Sequence, residues 1–422
     1  MNSEVSFIAG GGANSIGGSF YMLNVGNKVI GIDYGGQLNR SLGFEPDFSV
    51  TDRLDYLFVT HAHFDHVGAL PLVRKRFPEV KIFATPETRK LCQVAWGQTI
   101  RHFETGKELY RAKDVQEALS SMRPVRAEEV LELEPGLTVY VIPAAHILGA
   151  VSYLIEYNGE FYFFTGDVCY EDRSLLAGAP KLTIDGIKVL VRESTYIIES
   201  KDRRSAKERL ISRVPELMEK GYKILIASLS IDRAQDVFCI LAREKLGVPI
   251  YLDGSEKIFR IYRDNLQNGA ILNEAVWFNS EGERNTFLRG CEPGIVIASS
   301  GMMMPSTLSA LWARELLPNP KAAIFMVNYQ DPTSPGFMVR KSKKGEFMIF
   351  DDAIVKRQCL VEYFDLSAHM DKEDGEELEE RMNPKTIIYI HGEDAKIDEY
   401  IRTHRDGKQR VKALIGKEVF LD

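Results

Sequence analysis

The stretch THAHFDHVGALP, residues 60–71, places His61, His63, Asp65 and His66 within six consecutive positions. It follows LDYLFVT (54–60), a short apolar run that reads as a strand, so the chain leaves a strand and enters the cluster at once. Alternate residues of an extended segment point the same way, so His61 and His63 face one side. Asp65 and His66 come next, at the expected turn into a helix. Four ligating groups this close serve two cations better than one, because a single tetrahedral ion is filled by fewer residues. A pair of ions activates a water and polarises a phosphoryl or carbonyl oxygen. The chain has eight histidines in all, and placing three of them here argues against a merely structural cluster.

Two ions need further ligands, and three other strand ends supply them. His146 lies in AAHILGA, Asp167 in FFTGDV and His391 in IYIHGE, each closing an apolar run near a glycine. The intervening chain reads as strands and turns over residues 1–60, a helix in VGALPLVRKRF, and a mostly helical region from 86 to 131 with KDVQEALSSM its clearest piece. Strands return at LTVYVIPAA (137–145), AVSYLIEY (150–157) and EFYFFTGD (160–167). From about 200, strand and helix candidates alternate, which predicts a doubly wound parallel sheet. After about 366 come the strand KTIIYIHG, a helix and a last strand RVKALIGKEVFL. That tail is short for an independent domain and is expected to complete the first one.

Composition bounds the function classes. A chain of 422 residues with 45% hydrophobic and 27% charged residues can bury two or three domain-sized cores. Its net charge of −7 argues against a general nucleic-acid coat protein, yet a nuclease needs only a local basic groove. Cys92, Cys169, Cys239, Cys291 and Cys359 are scattered with no Cys-x-x-Cys, which reads as reduced thiols of a cytoplasmic protein. Neither a signal peptide nor an apolar run of membrane-spanning length is evident, so no membrane partner is expected. GGGANSIGGS (10–19) lacks the Gly-Lys-Ser/Thr of a phosphate loop and is read as a tight turn beside the metal site.

HAHFDH (61–66), His146 in AAHILGA and Asp167 in TGD resemble the metallo-β-lactamase superfamily. RESTY (192–196), SAHMD (367–371) and IHGE (390–393) resemble the three extra motifs of its β-CASP branch, which includes RNase J and the endonuclease subunit of the cleavage and polyadenylation specificity factor. The resemblance implies an α/β fold: an αβ/βα sandwich with an inserted β-CASP domain, a parallel sheet flanked by helices. The implied division is 1–198 and 366–422 for the sandwich and 199–365 for the insertion. By resemblance His61, His63 and His146 would hold one divalent ion, Asp65, His66 and His391 a second, and Asp167 would bridge them. Asp33 in IGIDYG would orient the metal loop from behind. Asp65, Asp167, His369 and Glu193 would carry the catalysis. Zinc suits the imidazole-rich set, and manganese also fits the carboxylate positions.

The implied reaction is RNA phosphodiester hydrolysis, in which the dinuclear site activates water and leaves 5′-phosphate and 3′-hydroxyl ends. A histidine in the last motif, here His391, is associated with RNA-directed members, so single-stranded RNA is expected before DNA. The basic stretches at Arg203, Arg204 and Lys207 and at Arg340, Lys341, Lys343 and Lys344 fit a polyanion. Ser367, Arg233 and Ser300 are candidate substrate contacts. The insertion departs from the family pattern at Asp232, where glycine is usual, at Gly254 in DGSE, and at Pro305 in SSGMMMPS. Specificity could then come from a homodimer or an accessory protein. The alternatives are a DNA nuclease or another phosphodiesterase of the superfamily, and a non-catalytic scaffold. Scaffolds in the family lose ligands, whereas every ligand position here is filled. Endo- and exonucleolytic modes stay open.

Overall fold

The computed structural model describes residues 5–37, 44–102 and 109–421. They form two compact units. The first comprises Met1–Asp172, Leu176–Ser200 and Ala368–Asp422, and the second Arg173–Leu175 and Lys201–Ser367.

The first unit contains two seven-stranded sheets. One runs, edge to edge, Val419–Phe420, Ser6–Gly11, Phe20–Val25, Lys28–Ile32, Tyr56–Phe58, Lys81–Ala84 and Met122–Pro124. The other runs Gln409–Lys412, Thr386–Ile390, Ile187–Glu193, Glu160–Phe164, Val151–Tyr157, Leu137–Pro143 and Val130–Glu134. Alternating apolar residues from both sheets, among them Phe7, Tyr21, Ile32, Phe58, Tyr153, Phe164 and Val191, close into one buried cluster. The sheets therefore pack face to face. The ring of Phe58 lies 5.0 Å from that of Tyr153 across this core.

Parallel pairing fixes where the strands end. Lys28–Ile32, Tyr56–Phe58 and Lys81–Ala84 pair in parallel, as do Glu160–Phe164, Ile187–Glu193 and Thr386–Ile390. Residues just past Ile32, Phe58, Phe164 and Ile390 therefore emerge at the C-terminal ends of neighbouring strands, where open α/β sheets collect ligands. These residues include Asp33, His61, Asp167 and His391.

Three local readings needed revision. VGALPLVRKRF breaks into Phe64–Val67, a 3-10 turn at Leu70–Leu72 and Val73–Arg76, because Pro71 has no N–H to continue a helix. Within 86–131, Met122–Pro124 and Val130–Glu134 are strands. The expected last strand is two, one in each sheet, separated by a turn in which Gly416 takes φ 73° and its N–H donates to the Ala9 carbonyl (2.9 Å).

The second unit is built on a six-stranded sheet, every pair parallel, in the order Val276–Trp277, Ile250–Asp253, Gly294–Ala298, Lys223–Ala227, Ala322–Met326 and Leu360–Tyr363. KILIA, GIVIA and AAIFM are buried along their whole length, as expected of strands covered on both faces. Asp232, where the family pattern has glycine, adopts φ 74°, the left-handed region that glycine enters without strain. Its carboxylate is ion-paired with Arg173, lies 3.4 Å from Arg233 and accepts from the Tyr262 hydroxyl (3.3 Å). Those contacts offset a conformational cost of about 1–3 kcal/mol. Among the described residues no helix is long and apolar enough to cross a membrane.

One buried carboxylate ties the C-terminal segment to the sheet that carries the site. Glu379, on the helix Lys372–Met382, accepts from Arg192 (2.9 Å), Arg410 (2.9 Å), Tyr389 (3.0 Å) and Tyr400 (3.3 Å). Glu379→Ala would leave two buried guanidinium groups without their acceptor. It should destabilise the protein by about 3–5 kcal/mol, read as a lowered urea midpoint. A loss near zero would mean that the arginines find other acceptors.

Candidate metal centre

Seven side chains from four strand ends meet in the first unit, four of them from residues 61–66. His61, His63, His146 and Asp167 each offer one ligand atom, all within 4.8 Å of one another. Asp65, His66 and His391 form a second such group. A third, overlapping group consists of Asp167, Glu193, His369 and His391. Asp167 is the common centre. Its Oδ2 lies 3.6 Å from His61 Nε2, 3.7 Å from His146 Nε2 and 3.3 Å from His66 Nε2, and its Oδ1 lies 3.6 Å from His391 Nδ1. Asp65 Oδ2 is 3.1 Å from His391 Nε2.

The surrounding hydrogen bonds fix which nitrogen of each ring faces inward. Asp33 Oδ1 accepts the Thr60 backbone N–H (2.7 Å). Its Oδ2 accepts the Thr60 hydroxyl (2.7 Å) and His66 Nδ1–H (2.7 Å). The Thr60 hydroxyl has thereby spent its proton, so its oxygen accepts from His61 Nδ1–H (3.0 Å). His146 Nδ1–H donates to the Ala368 carbonyl (2.7 Å), and His391 Nδ1 is 3.1 Å from the Thr195 hydroxyl. The Nε2 atoms of His61, His66 and His146 thus point into the cluster, in the pattern by which metal-binding histidines are oriented.

This donor set fits cations. The inward Nε2 atoms of His61 and His146 both face His63 Nδ1, at 3.2 and 3.0 Å. A proton on His63 Nδ1 can serve only one of them well, whereas a cation is attracted by all three lone pairs. Asp167 Oδ1 is buried and accepts no hydrogen bond. Burial, together with the neighbouring histidines, pushes the His61 and His146 imidazoles well down, towards the neutral form a ligand needs. Burial also opposes charge on His66 and His391, but Asp167 and Asp65 outweigh it and push both upward. The same attraction overcomes the burial of Asp65 and Asp167 and holds both carboxyls well below the usual carboxylate range. The cluster is therefore a set of deprotonated carboxylates beside imidazoles.

The backbone is bent to reach this arrangement. Asp33 (φ 62°), Ala145 beside His146 (φ 55°) and His391 (φ 52°) all lie in the left-handed region, which non-glycine residues enter at a cost of about 1–3 kcal/mol each. Gly35 permits the closest approach, since a Cβ there would sit 1.8 Å from the Asp65 carbonyl oxygen. The glycine-rich turn borders the cluster: Ser19 N–H donates to the Asp65 carbonyl (2.8 Å), and the Gly12 carbonyl accepts His391 N–H (2.8 Å).

Glu193 and His369 form a pair at the edge of the cluster. His369 Nδ1 is 2.8 Å from Glu193 Oε2, while Glu193 Oε1 accepts Val168 N–H (3.1 Å). The His369 side chain is 14% exposed, whereas that of Asp167 is 2%. The structure does not gather the three candidate substrate contacts into these groups, and all three lie in the second unit. Arg233 is buried against Asp232 and Asp236 (3.1 Å). Ser367 is 7% exposed, and the Ser300 Oγ is buried without a hydrogen-bond partner. Sequence reasoning missed Thr60, Thr195 and the Ala368 carbonyl. Each adjoins a motif residue, and that adjacency was the available signal.

A model of the metallo-β-lactamase superfamily matches residues 51–204, a Beta-Casp domain model matches 234–339, and a model of a Zn-dependent metallo-hydrolase RNA specificity domain matches 354–414. The chain thus carries a metallo-β-lactamase domain together with a Beta-Casp domain. It is 28% identical over 402 residues to the "Probable RNase MJ4" of Methanocaldococcus jannaschii, covering 92% of each chain. It is 29% identical to the "Transcription termination factor FttA" of Pyrococcus horikoshii, covering 92% of this chain and 66% of that one. It is 28% identical to "Endoribonuclease ysh1" of Schizosaccharomyces pombe, covering 92% of this chain and 54% of that one. The fold is also similar to that of a protein of unknown function from Enterococcus faecalis V583, with a TM-score of 0.60 at 14% identity over 99% of this chain and 100% of that one.

Asp33 makes a sharp test because it orients two rings without belonging to any of the three groups. Asp33→Ala should weaken metal binding by about 10–100-fold in chelator competition. Unchanged affinity would show that His61 and His66 hold their orientation without it.

Proposed function

We infer that the protein is a metal-dependent ribonuclease that hydrolyses phosphodiester bonds. The convergence of six His and Asp side chains with Asp167 carries this reading. It is supported by the RNA specificity domain match and by the relatives named RNase and endoribonuclease. His61, His63 and His146 would hold one ion, Asp65, His66 and His391 the other, with Asp167 between them. Two divalent ions bound there supply an activated water and polarise the phosphoryl oxygens. Imidazole predominates in the donor set, which favours zinc over manganese.

The remaining chemistry falls to His369. An alkoxide leaves poorly, so an acid that protonates the departing 3′-oxygen accelerates cleavage by about 10²–10⁴-fold. Glu193 Oε2, 2.8 Å from His369 Nδ1, accepts that N–H and fixes the ring's orientation. His369 Nε2 is then the nitrogen that delivers the proton. The products carry 5′-phosphate and 3′-hydroxyl ends.

The purified protein loaded with zinc should cut single-stranded RNA faster than matched single-stranded DNA. Equal or faster cutting of DNA would overturn the substrate assignment. His369→Ala should keep its metal and its RNA affinity but lose cleavage of normal RNA. It should recover on RNA with sulfur at the bridging 3′ position, whose leaving group needs no proton. A variant equally crippled on both substrates would remove the general-acid role.

A further inference from the structure

The second unit carries a surface that the chemistry above does not use. Phe347–Phe350 and Ala353–Lys356 form an antiparallel hairpin closed by Asp351 and Asp352, both with positive φ as a tight two-residue turn requires. The register pairs Phe347 with Lys356 and Ile349 with Ile354. Phe350 and Val355, from the alternate positions, are buried in the unit's core. The opposite face presents Phe347, Ile349 and Ile354 at 70%, 73% and 77% exposure, the highest of any large hydrophobic among the described residues. Ordinary patterning would place polar residues there.

The lead-in to this hairpin is basic. Arg340, Lys341, Lys343 and Lys344 are exposed, as is Lys356 on the apolar face. Arg340 lies 3.7 Å from the Tyr363 ring centroid, Lys341 5.4 Å from that of Phe337 and Lys356 5.3 Å from that of Phe347. Exposed arginines and lysines elsewhere are commonly ion-paired, as Arg204 is with Glu208 and Arg260 with Glu256. Among the described residues these five cations have no carboxylate within 4.0 Å. Of the nearby acids, Asp351 faces Arg314 (3.9 Å) and Glu346 accepts the Lys343 backbone N–H.

Unpaired cations beside exposed aromatic surface are what single-stranded nucleic acid binds: phosphates meet ammonium groups and bases stack on rings. A second copy of the chain fits worse, because a two-fold contact would set these cations against themselves. We propose that the hairpin and its basic lead-in bind single-stranded RNA, with phosphates on Lys343, Lys344 and Lys356 and a base stacked on Phe347. The proposal rests on the ribonuclease reading and adds a second RNA contact, made by residues outside the metal centre.

The test is fluorescence anisotropy with a labelled single-stranded RNA across a salt series. It uses the metal-loaded full chain carrying His369→Ala, so that the strand is bound without being cut. Phe347→Ala should weaken binding about 5- to 150-fold. The triple variant Lys343→Ala, Lys344→Ala and Lys356→Ala should lower the slope of log affinity against log salt by about 2, since each lost phosphate contact on a single strand removes about 0.7. All four positions are exposed, and unchanged thermal melting would confirm intact folding. Affinity and slope unchanged in both variants would overturn the proposal. So would a loss confined to the lysine variant, which would mean diffuse charge without a stacking platform. Wild-type self-association that Phe347→Ala abolishes, with RNA affinity intact, would assign the surface to a second copy and overturn it too. If the wild type does not cut RNA but the variants lose RNA binding, the activity reading fails and the hairpin stands. If the wild type cuts RNA and the variants bind it normally, only the hairpin proposal fails.

Discussion

The buried Asp33 carboxylate is the interaction on which the cluster depends. Its two oxygens take three donors, the Thr60 N–H, the Thr60 hydroxyl and His66 Nδ1, all at 2.7 Å. Burial raises its carboxyl above the usual range, and these donors and the His66 charge pull it back only in part. Because the Thr60 hydroxyl donates to Asp33, it must accept from His61, so one carboxylate sets the tautomers of two rings in different ligand groups. A side chain outside all three ligand groups thus decides which nitrogen each of these two rings presents.

Sheet topology supplies the rest. His391 lies 330 positions after His61 (391 − 61). The two meet because Thr386–Ile390 pairs in parallel with Ile187–Glu193, which pairs in parallel with Glu160–Phe164. Parallel register brings Glu193 opposite Ile390, one residue before His391, and leaves Asp167 three residues past the neighbouring strand's end. The Glu379 network holds this edge by joining Arg192, Tyr389 and Arg410 from three adjacent strands to one helix. Ligand geometry and fold stability therefore share the same strands.

Much of this was legible in the sequence, for a physical reason. A buried strand reads as an apolar run, and a functional group at its end stands out against that run, as in FFTGDV and IYIHGE. The parallel sheet of the second unit was visible in the same way. Other features depend on partners distant in sequence. Nothing in RESTY says that Thr195 will meet His391, and no pattern marks the Ala368 carbonyl as the acceptor for His146. Arg233 follows the family motif, but its burial between Asp232 and Asp236 appears only when the carboxylates are in place. RVKALIGKEVFL reads as one strand because its apolar residues run on, and only the two sheets waiting on either side divide it.

The central claim is that the cluster is a two-ion site sharing Asp167. Anomalous diffraction from crystals of the zinc-loaded protein, collected at the zinc edge, tests it most directly. Two peaks about 3.5–4 Å apart are predicted, one against His61, His63 and His146 and the other against Asp65, His66 and His391, with Asp167 touching both. A single fully occupied peak in active protein, unchanged when more zinc is added, would contradict it.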